Sequence, residues 1–217
     1  MNTTLEGDSV DLHFCALVGW VHDVKLSTDG KSIAGRWEKS FPMRSSAGPR
    51  LDDFANWPVT PNKILQFTKT HGPLMLPVKP GKRFSLTVQE WLSIQQEFRE
   101  EWDRLIVRPK QGVPLLGHSG WLDATPGEKF SMAFGRWSYV VSTLDRLLML
   151  RLLMTPPERL RFCARPDCPN PYFVAAHLGK KYCSEECTAW AQKLWKRQWW
   201  AKNAKNKSKL HSSSNSH

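Results

Sequence analysis

Four cysteines, Cys163, Cys168, Cys183 and Cys187, fall within twenty-five residues near the C-terminus. They form two close pairs, Cys163-Ala-Arg-Pro-Asp-Cys168 and Cys183-Ser-Glu-Glu-Cys187, separated by a fourteen-residue loop. Each pair can turn two thiolates toward one side of a Zn²⁺ ion, and two pairs close a tetrahedral shell. A chain built this way must bring two tight turns together, and Pro166 preorganises the first of them. The start, MNTTLEGDSVDLHFCALVGW, has no basic segment leading into an apolar run, so a cytoplasmic address is expected. In a reducing compartment clustered thiols read as metal ligands rather than disulfides. Cys15 stands far away in an apolar context and reads as a small buried residue. His177, between the pairs, could replace a cysteine; with four thiolates completing the shell it reads as an exposed loop histidine. No open coordination position and no adjacent acid or base is evident, so the site reads as structural.

Charge points to the same end of the chain. Residues 160–217 hold eleven Lys/Arg against three acids (Asp167, Glu185 and Glu186), a surplus of eight, which leaves only three of the net +11 for the other 159 residues. Such concentration favours a polyanionic partner, and nucleic acid over a lipid surface, because no amphipathic anchor accompanies it. No apolar stretch reaches transmembrane length, so no membrane association is expected.

The fold class expected is α+β: a mainly helical N-terminal domain with a short β-hairpin over residues 1–157, then a zinc module over 158–206, then a disordered tail over 207–217. The hairpin lies within Phe14 to Glu38 around Ser27-Thr28-Asp29-Gly30-Lys31, whose Asp-Gly step is a turn signal. Phe41 to Pro58, with three prolines and Gly48, reads as an irregular connection. Thr60-Pro61 opens a helix that Gly72-Pro73 closes. Thr87-Val88-Gln89-Glu90 is a capping box for a longer helix with Val88, Trp91, Leu92, Phe98, Trp102, Leu105 and Ile106 on one face, stopped by Pro109. Phe130 to Met154, the most apolar stretch, reads as the central buried helix, and Pro156-Pro157 ends it.

In the cysteine module Tyr172-Phe173-Val174 reads as a strand, with a return strand expected at Tyr182 after the Gly179-Lys180-Lys181 turn. Ser184 suits an N-cap and Glu185 and Glu186 suit a helix start, so a helix is expected from about Glu185 to about Asn203. On it Cys187, Trp190, Ala191, Leu194, Gln198 and Ala201 share a side expected to pack on the zinc and the core. Lys193, Lys196, Arg197 and Trp200 share the other. With Lys180, Lys181 and Lys202 these four are the candidate nucleic-acid-binding residues, the cations for phosphates and the tryptophan for stacking. Trp195 and Trp199 fit stacking or packing equally.

Leu160-Arg-Phe-Cys163-Ala-Arg-Pro-Asp-Cys168, Tyr172-Phe173-Val174, Lys181-Tyr-Cys183-Ser and Cys187 together resemble the CGNR-type zinc finger, the C-terminal module of bacterial proteins regarded as stress-induced transcription regulators, with RNA binding as an alternative suggestion. The resemblance covers about residues 158–203 and implies Cys163, Cys168, Cys183 and Cys187 as zinc ligands in a small treble-clef or ribbon-like module. The Gly-Asn-Arg run that names the family is absent; Thr188-Ala189-Trp190 stands there, and Lys193, Lys196 and Arg197 are left to take over its contact.

The function expected is therefore a zinc-stabilised DNA-binding transcription regulator. Its rivals are an RNA-binding protein and a zinc-stapled protein-interaction module with no nucleic-acid affinity. A homodimer and a small-molecule effector both fit the leading reading and remain open. No enzyme is expected: His13, His22, His71, His118, Asp52 and Asp53 are scattered, at no spacing a known mechanism requires.

Overall fold

The computed structural model describes residues 13–44, 48–75, 82–107, 129–133, 136–141 and 143–213. The chain divides into two compact units, residues 1–156 and 157–217. The first is a mixture of helix and strand rather than mainly helical. A five-stranded sheet runs in the order β3-β2-β1-β5-β4, with β1 His13–Leu26, β2 Ser32–Arg44, β3 Arg83–Thr87, β4 Lys129–Ala133 and β5 Arg136–Val141. Four helices accompany it among the described residues: α1 Leu51–Asn56, α2 Pro61–His71, α3 Val88–Val107 and α4 Leu144–Met154.

β1 and β2 form the hairpin expected at Asp29-Gly30, much longer than a short one. Asp29 organises its turn, accepting hydrogen bonds from the Ser27 hydroxyl (2.6 Å) and the Lys31 amide (3.0 Å). These bonds, the one from Ser27 foremost, hold the Asp29 carboxyl below its ordinary pKa. Gly30 supplies the positive φ of 69° that the reversal needs. The hairpin register slips between Trp20 and Val21 and again between His22 and Lys25, with Asp23 at φ 52° inside the second irregularity. Gly35 lies opposite Phe84 in the β2–β3 pairing. A Cβ there would come within 2.7 Å of the Phe84 ring, so the close approach of that ring requires glycine.

The capping box forms as expected. The Thr87 amide and hydroxyl both donate to Glu90 Oε2 (2.7 and 2.8 Å), and the Glu90 amide donates to Thr87 Oγ1 (3.0 Å). α3 buries Trp91, Phe98 and Trp102, whereas Leu92 stays exposed at its margin. Phe54 sits at the centre of the aromatic core, its ring centroid 5.0 Å from Phe98, 5.4 Å from Trp91 and 5.8 Å from Phe67.

Two further segments of this unit differ from the expectation. Part of the stretch expected to be an irregular connection is α1, whose Phe54 and Ala55 are fully buried. Its terminal carbonyls are taken by α3: Gln95 Nε2 donates to Phe54 O (2.8 Å) and Trp57 O (2.9 Å), and Arg99 Nε to Ala55 O (2.7 Å). The long apolar run is not one helix either. Its first part forms β4 and β5, and among the described residues the helix begins at Leu144. Leu144 and Asp145 both donate their amides to Leu74 O (3.1 and 3.2 Å), anchoring the start of α4. Pro109 and His118 lie outside the described residues. No helix among those described is long and apolar enough to cross a membrane.

Candidate metal centre

Unit 157–217 is built around sulfur. Strands β6 (Leu160–Phe162) and β7 (Tyr172–Val174) pair antiparallel, Leu160 opposite Val174 and Phe162 opposite Tyr172. The partner of the Tyr172–Val174 strand therefore precedes the first cysteine; the expected return strand at Tyr182 does not form. The reason lies in the backbone pairing at the first knuckle. The Cys163 amide donates to Pro171 O (2.7 Å) and the Ala164 amide to Lys181 O (2.9 Å), so the segment before Cys183 is spent on the knuckle rather than on a ribbon. The Cys168 amide donates to Arg165 O (3.2 Å), closing the turn that Pro166 preorganises.

The second pair sits at a helix start. α5 runs from Glu185 to Ser213, and the Cys187 amide donates to the Ser184 hydroxyl (3.3 Å), so Ser184 caps the turn that carries Cys187. The helix backbone continues past residue 206, where a disordered tail was expected; neither Pro nor Gly interrupts residues 185–213.

The four sulfurs converge, all within 4.8 Å of one another. Three separations are 3.5 Å (Cys168–Cys183), 3.7 Å (Cys183–Cys187) and 3.8 Å (Cys168–Cys187). A tetrahedron with Zn–S bonds of about 2.3 Å has an S···S edge of ~3.8 Å. The donor set, its spacing and its burial thus fit a closed Cys₄ zinc shell. Cys163 and Cys187 are buried with Phe173 and Ala175, and Tyr182, Cys168 and Cys183 pack around them. His177 is exposed and outside the cluster. Of Cys15 only the backbone, in β1, is described.

Bringing four thiols together strains their ionisation. Burial, assisted by the neighbouring sulfurs, pushes Cys168 up to about 12, and burial also raises Cys183. Burial acts on Cys187 in the same sense, but hydrogen bonds from Ser184 and the other thiols outweigh it and bring this thiol down to about 7. A divalent cation bound here would have to displace the protons that these thiols retain.

Arg165, counted in the sequence only as surface charge, is committed to this centre. Its Nε and Nη2 bind the two oxygens of Asp167 (3.0 and 2.9 Å), and Nη1 lies 3.8 Å from Glu186. Its guanidinium carbon is 5.8 Å from the Trp190 ring centroid. The bonds to Asp167 foremost, and beyond them the Cys187 sulfur, hold the guanidinium firmly protonated. One cation thereby ties the first knuckle to the first two turns of α5. An Arg-Pro-Asp step inside the knuckle is the only sequence signal that could have shown it.

The candidate nucleic-acid-binding residues divide. Lys181, Lys193, Lys196, Arg197, Trp200 and Lys202 are exposed. Lys180 is half-buried, its ammonium 6.0 Å from the Phe173 ring centroid. The helix side expected to pack on the core does so only at its start: Cys187 is buried and Trp190 and Ala191 half-buried, whereas Leu194, Gln198 and Ala201 are exposed. From residue 192 to 202 every side chain of α5 is exposed.

Several of the polar residues noted in the first unit have described surroundings. Asp52 pairs with Arg50 (2.8 Å). Asp53 and His71, scattered in sequence, are near enough to attract each other electrostatically; burial raises the Asp53 carboxyl, with Asp52 adding to it, and lowers the His71 imidazole. His71 packs on Phe67 and Trp57, with ring centroids 4.9 and 6.5 Å away. His22 is exposed on β1.

Compared with known proteins, the chain matches no family model, no curated protein and no solved structure. The likeness to the CGNR type rests on the cysteine module alone.

Proposed function

We propose that this protein binds nucleic acid through α5, with the Cys₄ centre fixing the helix rather than catalysing a reaction. Zn²⁺ held by Cys163, Cys168, Cys183 and Cys187 supplies a crosslink between the first knuckle and the first turn of α5. The observation that carries the reading is the helix beyond that crosslink. From residue 188 to 213 it has seven Lys/Arg and no acid, and its described side chains from 192 to 202 are all exposed. A cationic rod clamped at one end suits a phosphate backbone. DNA is the target that the resemblance to CGNR-type regulators implies. RNA is the second reading, favoured by the exposed indoles of Trp195, Trp199 and Trp200.

The test is nucleic-acid affinity as a function of salt, for the wild type and the Lys196→Ala/Arg197→Ala double variant. The wild type should lose affinity steeply as salt rises, and the variant should bind more weakly with a slope shallower by about one to two phosphates' worth. Unchanged affinity in the variant, with zinc content intact, would refute the assignment of α5. A protein-interaction module would give no salt-sensitive nucleic-acid binding.

A further inference from the structure

The same chain treats its tryptophans in two opposite ways. Trp91 and Trp102 are 0% exposed in the aromatic core, whereas Trp195, Trp199 and Trp200 on α5 are 63%, 47% and 65% exposed. Leaving three indoles in water forgoes a large apolar gain, so these side chains are not held there by packing. Trp199 and Trp200 stand edge to face, with ring centroids 4.8 Å apart and planes at 84°. Lys196, three residues before one and four before the other, lies on the helix face between them. Trp195 is one turn before Trp199 on the adjoining stripe.

Two perpendicular indoles on a helix face that also carries Lys196 select among polyanions. A second copy of this helix would bring seven further cations against the seven here, which repel. An acidic peptide would satisfy the cations but offer no planar partner to the rings. In a duplex, base faces are stacked on each other and only edges and phosphates are free, so lysines alone would suffice. An unpaired strand offers both a free base face and a phosphate at each step.

We propose that Lys196, Trp199 and Trp200 form a subsite for one unstacked base and its phosphate, and that Trp195 extends the platform to a neighbouring base. The partner is a single nucleic-acid strand, and this rests on the nucleic-acid reading above. The base stacks on one indole with the other walling its edge, while Lys196 neutralises the phosphate.

The experiment measures affinities of the full-length, zinc-loaded protein for labelled oligo(dT), oligo(U), a DNA duplex of equal length and poly-glutamate. Both single strands should bind about tenfold or more tightly than the duplex, and quench indole fluorescence. The tighter of the two strands identifies DNA or RNA as the source. Trp199→Ala and Trp200→Ala should each weaken strand binding about tenfold and leave duplex binding unchanged, with Trp199→Phe retaining most of the affinity. Zinc content, measured on each variant, should match the wild type because these side chains are exposed. Equal strand and duplex affinities, insensitive to the tryptophan variants, would overturn this inference and leave nucleic-acid binding standing. Poly-glutamate binding as tight as oligonucleotide binding, or no binding at all, would overturn both.

Discussion

The two units solve the problem of holding a fold together by different means. Residues 1–156 bury a continuous aromatic and aliphatic core, with Phe54, Phe67, Trp91, Phe98 and Trp102 in contact and helix ends capped from neighbouring elements. Among the described residues of 157–217, the cluster around the sulfurs has four buried residues, two of them cysteines, with three partly buried ones packed against them. So small an apolar cluster does not offset the entropy of ordering two knuckles and a helix start. Stability in the second unit is therefore expected to depend on what the cysteines bind, and in the first on side-chain packing.

Substitutions should separate the two. The largest effect belongs to Cys187→Ser, which leaves the shell one thiolate short. A structural zinc contributes on the order of 10 kcal/mol of apparent folding free energy at neutral pH, so the variant should lose bound zinc and the ordered start of α5 while the first unit melts as in the wild type. Elemental analysis combined with calorimetry reads both. Phe54→Ala reverses the pattern. It removes a fully buried ring and should cost about 3–5 kcal/mol in the first unit's unfolding free energy, with zinc content unchanged.

Smaller changes act on single supporting contacts in each unit. Arg165→Ala removes the cation shared by Asp167, Glu186 and Trp190. It should lower zinc affinity roughly 10- to 100-fold, as loss of a supporting contact around a metal typically does, without changing saturating stoichiometry in a chelator competition. Acidification acts in the same direction. Burial raises Cys168 and Cys183, so the metal-free form retains those protons at neutral pH and zinc uptake must release them. Apparent affinity should fall as pH drops from about 8 to about 6. The mildest change is Thr87→Ala, which opens the capping box of α3 and should cost the first unit about 1 kcal/mol in denaturant unfolding. Glu90, held below its ordinary pKa by Thr87, contributes stability above that pKa and loses it as pH falls through the lowered value.

Features set by a few adjacent residues were legible in the sequence. The Asp29-Gly30 turn, the Thr60-Pro61 helix start, the Thr87–Glu90 box and the four clustered cysteines each state a local geometry in their own side chains. Features decided by partners distant in sequence were not. Phe130 to Val141 is apolar enough for a buried helix or a buried strand, and periodicity cannot choose between them. β5 becomes a strand by pairing with β1, more than a hundred residues earlier. α1 is short and flanked by Pro49 and Pro58, so its reliance on Gln95 and Arg99 could not be read from composition. In the metal module the cysteines were plain, but the role of Arg165 required the folded knuckle. The exposure of α5 beyond Ala191 is not legible, because helical spacing indicates which residues share a face and does not indicate whether anything covers it.

The dependence of the second unit on metal can be read most directly by stepwise chelation with backbone hydrogen exchange followed in both units. One Zn²⁺ per chain is expected, with its removal abolishing protection around Cys163–Cys168 and the first turns of α5 while α2 and α3 stay protected. A protein that neither carries nor takes up zinc, and whose α5 protection is indifferent to the chelator, would contradict that dependence.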